Sequence, residues 1–215
     1  MARRSFHGEA GRPFGTVAVL LCVLLTSAAF VLGRIAFKIT GTWVPMEPDP
    51  ALIPALRDYW GLLLASEIVK AVNAGAIALA VWTLAGPVSA PRRAGRAALA
   101  MGMLGAALMA AAAHFNIEAA AELSTGASSA RDWLGADLWS AGLACIGLWA
   151  ALLMIEARRA ESLPAWVQLC GFAFGLACLA AAASPMLLQI VPGFALVWWL
   201  GVFATLYKPE DRVAR

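Results

Sequence analysis

WGLLLASEIVKAVNAGAIALAVWTLA, residues Trp60 to Ala85, is long and apolar enough to cross a bilayer, yet Glu67, Lys70 and Asn73 stand in it three apart. A helix needs about 20 mostly apolar residues to span ~30 Å of hydrocarbon at 1.5 Å per residue. Five further segments of the same kind flank this one, at roughly 15–37, 95–117, 138–156, 164–184 and 187–207. Runs rich in Ala and Leu, without strict alternation, do not make the strands of a lipid-facing barrel. The expected fold is therefore all-α: a polytopic membrane protein built as a six-helix bundle.

Composition points the same way. The 215 residues are 62% hydrophobic and 13% charged, with a mean hydropathy of +0.78, whereas soluble domains carry about 25% charged residues. The connections are too short to hold a second core. One transmembrane domain over 15–207 is expected, with an N-terminal segment 1–14 and a tail 208–215.

The basic residues partition between the connections. Arg3, Arg4, Arg12, Arg92, Arg93, Arg96, Arg158, Arg159, Lys208, Arg212 and Arg215 fall on one side of the predicted bundle. Only Arg34, Lys38, Arg57 and Arg131 fall on the other. The positive-inside rule then places both termini in the cytoplasm of a cell whose inner (plasma) membrane holds the protein. The same dispersal argues against nucleic acid as a partner, because no basic stripe forms. The expected partners are the lipid bilayer and other membrane subunits. Arg3 and Arg4 ahead of an apolar stretch resemble a signal peptide, but the apolar core outruns the usual length of about 7–15 residues, so the first helix is expected to be retained.

Tryptophans favour the membrane interface. Trp43, Trp60, Trp133 and Trp139 are expected near the outer boundary and Trp82, Trp166 and Trp149 toward the inner half, while at least one of Trp198 and Trp199 faces protein. Gly171 and Gly175 form a GxxxG, and Ala98, Gly102, Ala106 and Ala110 a stripe of small residues; both suit close helix packing. Cys22, Cys145, Cys170 and Cys178 show no CxxC spacing and read as small hydrophobes.

Two constellations carry chemistry. Glu67 and Lys70 are spaced i, i+3, near enough to pair, and Asn73 continues the series toward mid-depth. Intramembrane ionisable groups face the bundle interior or water and mark ligand or proton sites by default, although a neutralised pair with Asn73 as interhelical glue is the structural alternative. The second is His114, Glu118 and Glu122, spaced HxxxExxxE. On a continuous helix these share a face and can hold a divalent metal, with Asp132 and Asp137 of the following loop within range; a solvated helix end explains the two carboxylates equally. No GxSxG, P-loop or dinucleotide fingerprint is present.

Trp149, Leu163-Pro164-Ala165-Trp166, Gly171, Gly175, Pro185 and Trp198-Trp199 with Gly201 resemble the pattern of a broad group of uncharacterised six-helix bacterial integral membrane proteins. That resemblance implies fold and membrane location, and no activity. Met46-Glu47-Pro48, Trp60 and Glu67 resemble, more faintly, the C-type polypeptide of particulate methane and ammonia monooxygenases. That family's outer-loop histidines have no counterpart between Glu118 and Asp137, so its copper ligands do not carry over. The favoured reading is a non-enzymatic ligand-binding, accessory or transport-like protein using Glu67, Lys70 and Asn73, with no cofactor. The alternative is a metal-dependent membrane enzyme, or a component of one like that monooxygenase polypeptide, using His114, Glu118 and Glu122.

Overall fold

The structure, a computed structural model, describes residues 12–40, 53–88, 93–125 and 132–207. The helices are α1 (Arg12–Thr40), a short α2 (Ile53–Asp58), α3 (Trp60–Val88), α4 (Arg93–Thr125), α5 (Asp132–Arg159), α6 (Ala165–Ala183), a 3-10 turn (Pro185–Gln189) and α7 (Val191–Tyr207). No strand occurs among the described residues, and six of the helices are long and apolar enough to cross a membrane. The stretch Trp60–Ala85 is α3, the second of the six.

Order along the chain becomes order around a ring. Packing runs α1 on α3, α3 on α4, α4 on α5, α5 on α6 and α6 on α7, and α7 closes on α1. Facing residues show that neighbours are antiparallel. Thr26 meets Asn73 and Gly15 lies beside Thr83 across α1 and α3. Asn116 meets Glu67 and Gly102 abuts Val81 across α3 and α4. With six passes, the starts of α1, α4 and α6 share one end of the bundle with the finishes of α3, α5 and α7. That end carries Arg12 and Tyr207, the first and last described residues; the other is the distal end.

Small residues set the spacing. A Cβ on Gly147 would lie 2.7 Å from the carbonyl oxygen of Gly175, and one on Gly175 would lie 2.9 Å from that of Gly147, so α5 and α6 touch backbone to backbone. Gly105 and Gly142 do the same for α4 and α5, at 3.0 and 3.1 Å. Without a hydrophobic effect in lipid, such approach is how helices gain contact. Of the GxxxG pair, Gly175 meets backbone, whereas Gly171 makes room for Met154 and Trp198. The stripe on α4 departs from expectation at its end: Ala98, Gly102 and Ala106 are buried and Ala110 is exposed. A four-residue step drifts about 40° around a helix, and three steps carry Ala110 off the face.

Aromatic rings plug the ring of helices. Trp149, Trp198 and Trp199 are each at most 1% exposed. Trp198 stacks on Phe174 at 5.0 Å and meets Trp149 edge-on at 5.5 Å. Trp149 is therefore core and not an interfacial anchor, whereas Trp60, Trp82 and Trp166 are exposed as belt residues are. Trp43 and the side chain of Trp133 lie outside the described residues.

Helix ends follow local chemistry. Ser184, ahead of Pro185, is extended at φ −144°, ψ 109°, as the proline ring requires of the residue before it. The sixth segment consequently starts as a 3-10 turn. α5 ends with Ser162 N–H donating to the Ala157 carbonyl and Glu161 at φ 50°, a Schellman-type stop with glutamate where glycine is usual. α4 runs to Thr125, beyond the expected 117, and Asp132 and Asp137 belong to α5 and not to a loop.

Candidate functional site

Glu67 lies about 10 Å along α3 from Trp60 and is 5% exposed. Both of its oxygens are taken. Lys70 Nζ donates to Oε1 at 2.5 Å, and Asn116 Nδ2, from α4, donates to Oε2 at 3.1 Å. The ammonium also sits 5.5 Å from the ring centroid of Trp139 on α5, within cation–π range. The Lys70 side chain is 16% exposed. Three helices thus converge on one buried ion pair.

Asn116 owes its position to a glycine. A Cβ on Gly135 would fall 2.2 Å from Asn116 Oδ1, nearer than any real contact. The amide of α4 therefore fits only because the facing residue of α5 has no side chain.

Asn73 does not join this cluster. Two three-residue steps rotate it about 120° from Glu67, and it faces α1, where its Nδ2 donates to Thr26 Oγ1 at 3.4 Å. Asn73 is 8% exposed, and its Oδ1 is buried without a partner. Turning the amide over only exchanges the atoms: Oδ1 then faces the hydroxyl and Nδ2 is left alone. Such a group costs about 1–3 kcal/mol. The other partnerless buried polar atom among the described residues, Trp198 Nε1, lies inside the aromatic plug.

A second buried carboxylate sits at the end opposite the distal one, near the finish of α5. Glu156 is 3% exposed and accepts from Arg159 Nη1 at 2.8 Å. It lines a cavity with room for about one water, walled by Ala85, Gly95, Ala98, Trp149 and Leu153. The buried face of α3 between the two sites is Ala74, Ala76, Ile77, Ala80, Val81 and Leu84, all apolar. With the tryptophan plug, about 16 Å of apolar packing separates Asn73 from the level of Leu84.

The helix-end constellation takes a different form. His114 Nε2 lies 3.4 Å from Glu118 Oε1, with the two side chains 67% and 38% exposed. Glu122 is half-buried and Asp137 exposed; the Asp132 side chain lies outside the described residues. Among the described residues, no three His, Cys, Asp or Glu side chains are gathered closely enough to hold a metal ion. The cysteines are free, with Cys22 and Cys178 buried.

Spacing along the chain pairs Glu67 with Lys70, but Asn116, Thr26, Glu156 and the ring face of Trp139 emerge only from the structure. The signal for Asn116 is an amide in an otherwise Ala-rich helix; for Glu156 it is an acid just inside the Arg158-Arg159 helix end. Comparison with protein-family models, with curated proteins and with solved structures finds no match to this chain. Its class therefore stands on its own helices, six apolar spans closed in a ring, which are those of an integral membrane protein.

Proposed function

We propose that this is a multi-pass protein of a bacterial inner membrane, with both termini cytoplasmic, that binds a small polar ligand without catalysis at the Glu67–Lys70–Asn116 cluster. The observation that carries the reading is Glu67 itself: a carboxylate 5% exposed inside an apolar span, held by side chains from two helices. Ionisable groups inside a span are costly, up to about 2.5–3.5 kcal/mol at the bilayer centre on insertion scales, and mark function by default. The basic asymmetry of the connections supports the orientation, which turns the cluster toward the extracytoplasmic side. The likeness to six-helix bacterial membrane proteins is in keeping with it.

Binding is favoured over transport because the polar groups do not continue across the bundle. Below Asn73 the interior is apolar down to the level of Leu84. A second reading has one observation in its favour. Both Glu67 oxygens are filled by the chain's own donors, as a purely structural clasp would require.

One experiment separates the two. Purified protein in lipid nanodiscs is melted against a panel of small polar compounds, beside a Glu67→Gln/Lys70→Met variant of equal helicity. A ligand that raises the melting temperature of the wild type and not of the variant supports the site. If every compound acts equally on both, or on neither, the cluster is packing.

A further inference from the structure

We propose that the Glu67–Asn116–Trp139 constellation is a receptor for a primary alkylammonium group, and that the chain's own Lys70 occupies it in the resting protein. This rests on the ligand-binding reading above and names the chemistry of the ligand.

The Lys70 nitrogen donates to a carboxylate oxygen and lies over an aromatic ring, while the second carboxylate oxygen is fixed by Asn116. A carboxylate, an aromatic face and an amide that orients the carboxylate are what an ammonium ion needs once out of water: charge, cation–π attraction and a directed acceptor. Nothing in that set recognises the lysine as lysine. An alkylammonium of external origin offers the same three N–H donors and the same charge.

Exchange is also a mode of binding that leaves no charge stranded. Ejecting Lys70 without replacement would bury an uncompensated carboxylate, a strongly unfavourable state. Replacing one ammonium by another keeps Glu67 neutralised throughout, while Lys70 regains water. The lysine is placed for that movement. Its side chain is already 16% exposed, and Cα–Cβ bonds in a helix tilt toward its N-terminus, which for α3 is the distal end. Its four-carbon stem allows the ammonium to snorkel that way. An anion would be repelled by Glu67, and a quaternary ammonium has no N–H for Oε1.

The test uses the wild-type protein first. The chain has three lysines, Lys38, Lys70 and Lys208, so selective 15N labelling of lysine gives few side-chain signals, and Lys70→Arg identifies the one of interest. In nanodiscs at constant ionic strength, n-propylammonium is expected to move the Lys70 signal saturably, as the ammonium leaves the Trp139 ring. Tetramethylammonium at the same concentration is expected to leave it in place. Beside this, Lys70→Ala should melt lower than wild type and regain at least half of that loss in n-propylammonium, whereas Glu67→Gln/Lys70→Ala should show no such recovery. An unmoved Lys70 signal, an equal effect of tetramethylammonium, or equal recovery in the double variant would overturn the proposal. If Lys70→Ala does not fold, the wild-type titration decides alone. Should n-propylammonium fail while a ligand of other chemistry stabilises the wild type and not Glu67→Gln/Lys70→Met, the ammonium assignment falls and the binding site stands.

Discussion

Consider removing the partners of the buried ion pair one at a time and together. In Lys70→Met, Glu67, 5% exposed in the native protein, keeps only the Asn116 donor, and its short side chain has little reach toward water. Breaking a buried pair in this way costs about 3–5 kcal/mol, and the retained amide argues for the lower end, about 3. In Glu67→Gln the stranded group is Lys70, whose stem is long and whose side chain is already 16% exposed. It can snorkel out, and the introduced glutamine carbonyl can still accept from Asn116. The loss is then that of a charged hydrogen bond, roughly 1.5–2 kcal/mol. The double variant strands nothing and should fall within about 1–2 kcal/mol of wild type, giving a coupling near 3 kcal/mol. The assay is reversible unfolding in mixed micelles titrated with a denaturing detergent, followed by far-UV circular dichroism. Two outcomes would refute the reasoning. Additive losses would mean that the groups act separately, each in contact with water. A Glu67→Gln loss larger than that of Lys70→Met would mean that the lysine is the trapped partner.

Four further outcomes are expected. Gly135→Ala puts a Cβ where Asn116 Oδ1 now lies; it should turn the amide off Glu67 and cost about 1–2 kcal/mol, and Asn116→Ala in that background should add little. Gly147→Ala, 2.7 Å from the Gly175 carbonyl, should cost about 1–3 kcal/mol by prising α5 from α6, while Gly75→Ala, with nothing within 4 Å, should be neutral or up to about 1 kcal/mol stabilising; the same unfolding assay reads both. Cysteine placed at Ser89 should resist an impermeant thiol reagent applied to intact cells and cysteine at Thr125 should react, and labelling of Ser89→Cys from outside would reverse the threading. Elemental analysis of the purified protein should find less than one tightly held transition metal per chain; a stoichiometric metal lost in His114→Ala would restore the metal-enzyme alternative.

The sequence alone carried the membrane class, the helix count and the pairing of Glu67 with Lys70. All three depend on local quantities. Span length follows from the rise per residue, and an i, i+3 pair meets wherever the helix forms. The ring is a shorter step, because short connections make chain neighbours into antiparallel packing neighbours. What tertiary structure decided is rotation about each helix axis and the register between helices. Asn73 shares a three-residue spacing with Glu67 and Lys70, yet the drift of that spacing turns it to α1 and Thr26. Trp149, Trp198 and Trp199 are of one residue type with Trp82 and Trp166, and only packing made the first three core and left the others exposed. Asn116 reaches Glu67 because Gly135, on a third helix, vacates the space. That coincidence of three positions far apart in the chain arises from interhelical packing, and spacing along any single helix does not encode it.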